Sequence, residues 1–225
     1  MHYSNAGYQK PLAMPMFKPL LSSAQSWLHA QLPCQFCGIA RGCNASLCED
    51  CWNSLPWLKQ TLQRQELEIQ VACHYAYPID RVIQQFKYEQ QLHFQILLTG
   101  LLKQLDYRQI QAIVPMPIST QRLAERGYNQ SVILAQRLSQ ELNIPVWQPI
   151  QRQHQHSQKG LSRLERLDSI EQQFKIAPTN ALRYRRVLML DDVVTTGSSL
   201  KALQQALNEL GCRKIEAACI AAAQC

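Results

Sequence analysis

The sequence predicts an α/β fold, a parallel sheet flanked by helices with a small module in front of it, and three observations carry that expectation. From about residue 66 onward, short apolar runs alternate with stretches of helical period: IQVACHYAY, DRVIQQFKYEQQLHFQILLTGLLKQL, QAIVPMP, SVILAQRLSQELN, IPVWQPI, RRVLMLDDVV, SSLKALQQALNEL and CRKIEAACIAAA. Strands separated by helices pair in parallel through right-handed crossovers. Ahead of them, four cysteines fall as two C-x2-C pairs, Cys34–Cys37 and Cys48–Cys51. Finally, the apolar run VLML enters two adjacent aspartates and a Thr-Thr-Gly-Ser-Ser turn that opens a helix. Ligands of open parallel sheets bind at such strand-to-helix turns.

Size and composition fit this frame. A chain of 225 residues holds one sizeable α/β domain and a small appended module, and 46% hydrophobic with 17% charged residues is ordinary for a soluble protein. No apolar run is long enough to span a bilayer, and the stretch Met14–Leu21 is broken by Pro15, Lys18 and Pro19. Neither a signal peptide nor a membrane span is expected, which points to the cytoplasm. The net charge of +7 suits a phosphate-bearing ligand, a nucleic acid or plain solubility.

Taken in order, residues 1–16 carry Gly7, Pro11 and Pro15 without a hydrophobic period and are expected to be disordered. Phe17, Leu20, Leu21, Ala24, Trp27, Leu28 and Leu32 recur at helical spacing and predict an amphipathic helix leading into the cysteines. The segment WNSLPWLKQ is expected to pack apolar side chains over them, so the first module spans 17–60 and the α/β domain 67–225. The long helical pattern breaks near Tyr88. Pro115 ends a short buried strand, and Gly211 stands in the favoured position just past a helix.

Paired C-x2-C knuckles supply four thiolates, enough to close a tetrahedron around Zn²⁺ and leave no open position for water. Cys34, Cys37, Cys48 and Cys51 are therefore the candidate ligands of a structural zinc site. Cys43 lies between the pairs and is either a replacement ligand or a bystander; the pairing of the other four favours the bystander. Cys73, Cys212, Cys219 and Cys225 are scattered and read as inert thiols.

A strand, a loop rich in Thr, Gly and Ser, and a helix aim backbone N–H groups and the positive end of the helix dipole at an anion. Thr195, Thr196, Gly197, Ser198 and Ser199 suit a phosphate, while Asp191 and Asp192 offer acceptors to sugar hydroxyls one step earlier. The segment carries neither a dinucleotide fingerprint nor a Walker loop. A ribose 5-phosphate pocket is the expectation.

VLMLDDVVTTGSS closely resembles the PRPP-binding motif of the type I phosphoribosyltransferases. That resemblance implies the type I phosphoribosyltransferase fold, with Asp191 and Asp192 on the ribose hydroxyls and Val193, Val194 and Thr195 to Ser199 around the 5-phosphate. The stretch IVPMPISTQRLAERGYNQSVILA is similar to a signature of the ComF (GntX-like) competence family. The cysteine module, FKY at Phe86–Tyr88 and the segment Arg152–Phe174 follow in that family's order. At Leu167-Asp168-Ser169 the sequence departs from the family pattern, which usually has asparagine after the arginine (R-x-x-N), so no role is carried onto Asp168.

By the same resemblance, a loop from Met116 to Thr120, including Pro117 and Ser119, contacts pyrophosphate, with Arg122 and Arg126 just beyond. A hood over Gln151–Phe174 brings Arg152, Lys159, Arg163 and Arg166, and Lys87 stands in the same group of candidate anion contacts. The implied reaction displaces pyrophosphate from C1 of PRPP, with Mg²⁺ bridging hydroxyls and pyrophosphate. The acceptor is open. The alternative is a non-catalytic PRPP sensor or adaptor in DNA uptake, handling single-stranded DNA beside competence helicase or recombination proteins.

Overall fold

The computed structural model describes residues 32–152, 174–177 and 183–223. The expected disordered start, the helix from Phe17, the hood residues Lys159, Arg163 and Arg166, and Cys225 lie outside the described residues.

A mixed sheet forms the middle layer. Strands β1 (Trp57–Arg64) and β2 (Leu67–His74) make an antiparallel hairpin, and β3 (Ala112–Pro115), β6 (Arg186–Val194) and β7 (Lys214–Ala222) join it in the order β1-β2-β7-β6-β3. Every pairing after the hairpin is parallel. Two short strands, β4 (Ile150–Arg152) and β5 (Phe174–Ile176), form a separate antiparallel pair at the ends of the hood segment.

Alternation along the strands sends successive residues to opposite layers. On one face α2 (Ile79–Tyr88), α3 (Gln95–Leu102) and α5 (Gln130–Leu142) cover Ile113, Leu188, Leu190 and Ile220. On the other face α6 (Ser198–Glu209) covers Ile69, Val114, Val187, Met189 and Cys219. The central strands are thus apolar on both sides, as parallel strands between helices must be.

The hairpin partner β1 was not expected as a strand. Its sequence WLKQTLQR does not alternate cleanly, because it is an edge strand with a register irregularity between Trp57 and Gln60 and a left-handed Lys59 (φ 45°). Trp57 still packs over the cysteine segment. Its ring sits 4.9 Å from that of Trp52, edge to face, and its indole N–H donates to the Trp52 carbonyl at 2.9 Å. Two further differences concern short elements. Residues just past the Met116–Thr120 loop form a helix, α4 (Thr120–Arg126), capped by the Ser119 hydroxyl. IPVWQPI yields only a bridge from Val146 to Ile113 before β4 begins.

The cysteine segment leads through α1 (Glu49–Asn53) into β1 and shares the core of α2 and α3. Cys34, Leu47, Cys48 and Leu55 are buried in one cluster with Phe86, Leu98 and Leu101. The approach is close enough to dictate a residue: a Cβ on Gly100 of α3 would lie 2.3 Å from the Cβ of Ala45. No helix among the described residues is long and apolar enough to cross a membrane.

Candidate functional site

Strand β6 carries the two aspartates inside its paired length rather than beyond its end, with Asp191 opposite Cys219 on β7. The strand then leaves the sheet through Thr195 and Thr196 to Gly197, which starts α6. Gly197 is required there twice over. Its φ of +82° is the left-handed region, and a Cβ would come within 2.9 Å of the Cβ of Arg64 at the hairpin tip. Because the N-cap is a glycine, it has no side chain to cap α6; the Thr196 hydroxyl accepts from the Ser198 N–H at 3.4 Å in the first turn. The Thr196 and Ser198 hydroxyls share a hydrogen bond at 3.0 Å at this turn. Ser199 is half-buried, Val193 is half-buried, and the carbonyl of buried Val194 accepts from the Ala223 N–H at 2.9 Å.

The two carboxylates are held by different chemistry. Asp191 Oδ1 accepts from the Ser131 hydroxyl at 3.3 Å and from the Asp192 N–H at 2.9 Å. Asp192 Oδ1 instead meets the Lys87 ammonium at 2.8 Å, and the two side chains are only 10% and 19% exposed. Burial, reinforced by the adjacent Asp192 charge, pushes the Asp191 carboxyl up to about 7.

Lys87 is placed by its neighbours. Phe86, fully buried, points inward from α2, and the Tyr128 hydroxyl donates to the Phe86 carbonyl. Tyr88 receives the Arg126 guanidinium over its ring at 4.8 Å, and Arg126 also donates to the Tyr88 hydroxyl at 3.2 Å. The segment that follows finishes the brace. Gly127 ends α4 in a left-handed turn (φ 79°), and the Asn129 side chain caps α5 while donating to the Met116 carbonyl at 3.0 Å. FKY, RGYNQS and DD, far apart in sequence, therefore meet in one place.

The anion-contact candidates separate. Met116 is 4% exposed and both its backbone groups are engaged, the N–H with the Leu190 carbonyl at 2.8 Å and the carbonyl with Asn129. Pro117 lines a cleft of about 480 Å³ together with Thr120, Asn129, Gln148 and Arg152. Ser119 is spent on capping α4. Arg122 is exposed, and Arg126 is committed to Tyr88. Arg152 lies over the Phe174 ring at 5.8 Å; burial and the Arg122 charge lower its pKa, and the Asp191 charge raises it. Tyr128, Asn129 and Ser131 carry no role in the sequence reading, although all three stand in the quoted RGYNQS stretch. A larger cleft of about 640 Å³, lined by Glu68, Asp106, Asn208 and Lys214, lies away from the aspartates, and several of its charges are already paired with one another.

Fit to metal ions differs at the two centres. The sulfurs of Cys34, Cys37, Cys48 and Cys51 all lie within 4.8 Å of one another, a donor set that suits Zn²⁺. Cys43 is exposed and its thiol points at the Leu47 carbonyl at 3.7 Å, outside that set. At the aspartates, one oxygen of each carboxylate is already engaged. Lys87 occupies Asp192 Oδ1, and neutral donors occupy Asp191 Oδ1.

A family profile described as "Phosphoribosyl transferase domain" matches residues 129–225. Competence protein F of Haemophilus influenzae is 32% identical over 209 residues, covering 88% of this chain and 87% of that protein. Competence protein ComFC of Bacillus subtilis is 30% identical over 99 residues, 44% of this chain and 39% of its own. A purine phosphoribosyltransferase structure from Pyrococcus horikoshii aligns loosely, with a TM-score of 0.33 and 21% identity over 68% of this chain and 78% of its own. On the match to competence protein F over 88% of this chain, the chain belongs to the ComF competence family and carries a phosphoribosyltransferase domain over residues 129–225.

Proposed function

We propose that this protein binds PRPP at the β6–α6 turn and acts in natural competence. The observation that carries the reading is an acidic pair one step ahead of a helix start, with Gly197 as the close-approach residue. Asp191 and Asp192 take the ribose hydroxyls, and Val194 to Ser199 cradle the 5-phosphate with backbone N–H and hydroxyl groups. A structural Zn²⁺ on Cys34, Cys37, Cys48 and Cys51 completes the N-terminal part.

If transfer follows, it breaks the C1–O bond to pyrophosphate through a transition state of oxocarbenium character. The chain then needs no covalent nucleophile; it fixes the ribose and offsets the leaving charge with cations such as Arg152 and Arg122. Calorimetric titration with PRPP tests the pocket. The Asp191→Asn/Asp192→Asn double variant should lose at least about tenfold in affinity, the loss of one or more good hydrogen bonds to charged groups. Undiminished binding would refute the assignment, and pyrophosphate release across a panel of bases and amines separates transferase from sensor.

A second reading, contact with single-stranded DNA, has its own support. The register of β6 and β7 sets Arg186 opposite Lys214, and the Arg185 carbonyl accepts from both the Arg213 and Lys214 N–H groups. Arg185, Arg213 and Lys214 are exposed and Lys214 pairs with Glu216, so three arginines share the end of the sheet opposite the aspartates. Replacing Arg185, Arg186 and Arg213 by alanine should flatten the dependence of oligonucleotide affinity on salt; an unchanged slope would exclude this surface.

A further inference from the structure

The ion pair between Lys87 and Asp192 lies in low-dielectric surroundings and needs a reason to exist. Its side chains are 19% and 10% exposed. Removing a lysine and a carboxylate from water is costly, and a pair so placed adds little net stability over apolar packing. Yet this lysine is held from both sides, by Tyr128 on the Phe86 carbonyl and by Arg126 stacked on Tyr88. Its position is prepared rather than incidental.

Two adjacent carboxylates would ordinarily attract a divalent cation. Here one carboxylate oxygen of the pair is taken by an ammonium at 2.8 Å and another by a hydroxyl and a backbone N–H. A divalent ion coordinated through these same oxygens would have to displace the Lys87 ammonium from Asp192 Oδ1.

Resting on the reading of this turn as a ribose 5-phosphate pocket, we infer that Lys87 is a resident counter-ion: it keeps divalent metal off the two aspartates and lets them receive ribose hydroxyls without it. Any magnesium then arrives on a pyrophosphate-bearing ligand and is held by that ligand's oxygens. Ribose 5-phosphate, which lacks the pyrophosphate, is the probe that separates the two contributions.

The experiment uses the full-length, zinc-loaded protein in buffer freed of other divalent ions, so that the cysteine site stays intact. Wild type should bind ribose 5-phosphate equally well, within about twofold, with and without Mg²⁺. Lys87→Met should bind at least about tenfold more weakly without Mg²⁺ and regain part of that loss with it, while Lys87→Arg retains most of the wild-type behaviour. In parallel, Mn²⁺ titrated under electron spin resonance should leave the wild-type aspartates empty, bind one site in Lys87→Met, and lose that site in Lys87→Met/Asp192→Asn. Thermal melts confirm that each variant is folded, and the wild-type comparison stands without any variant. A wild-type requirement for Mg²⁺ above about tenfold, or metal-free binding by Lys87→Met equal to wild type, overturns the inference. Failure of wild type to bind either ribose 5-phosphate or PRPP overturns the ribose reading instead, and the Mn²⁺ arm still decides whether Lys87 keeps metal away.

Discussion

Asp191 and Asp192 differ although they are neighbours in the chain. The Lys87 ammonium lies 2.8 Å from Asp192 Oδ1, whereas Asp191 has neutral donors and a value pushed from 3.8 to about 7 by burial and by Asp192. With the folded value above the unfolded one, the fold favours the protonated form. Stability from this position is complete below about pH 4 and is lost as pH rises to about 7. Asparagine cannot ionise, so Asp191→Asn should match wild type at pH 4 and exceed it by about 1–2 kcal/mol at pH 8, a fraction of the full shift because the site is half-buried. Urea denaturation at the two pH values measures this. Equal gains at both would show that the aspartate is not strained by ionisation.

Among the elements, the brace from α4 to α5 is where tertiary structure adds most to what the chain order shows. The acidic pair, the TTGSS turn and the C-x2-C pairs are local patterns, since each places its chemistry within a few residues, and all are legible in the sequence. The links Lys87–Asp192, Ser131–Asp191 and Arg126–Tyr88 join residues 38 to 105 positions apart, and no periodicity encodes such partners. Arg126 illustrates the limit: nothing in the order of residues shows that its guanidinium lies over the Tyr88 ring at 4.8 Å. Strand β1 is hidden for another reason, because an edge strand facing solvent keeps polar residues that blur the alternation. The brace itself is testable through Tyr128→Phe, which keeps the ring packed against Phe86 and deletes the hydroxyl. Stability should fall by about 1 kcal/mol, and PRPP affinity by a few-fold as the turn carrying Lys87 loosens. Full affinity with reduced stability would limit the tyrosine to a packing role.

For the molecule as a whole, the cysteine segment and the α/β layers are joined by a common core. Cys34, Leu47, Cys48 and Leu55 are buried with residues of α2 and α3, so the knuckles do not hang from the sheet on a linker. With zinc as the ligand of the four thiolates, its removal should be felt throughout. Scanning calorimetry after chelation is expected to show one transition lowered by several degrees rather than a lost minor transition and an unmoved major one. An unmoved main transition would show that the segment folds and melts by itself. Helix α2 ties this core to the site: Phe86 sits in the shared cluster, and the next residue is the lysine on Asp192.

The tight seat of Gly100 against Ala45 extends this coupling to inheritance. At 2.3 Å from a would-be Cβ there is no room for a methyl group on the helix unless the knuckle loop withdraws. Drift at position 100 is thus tied to drift at position 45, and the two positions must change together. A chimera that grafts a relative's cysteine segment onto this sheet should be tolerated only when the donor brings a residue no larger than alanine at position 45.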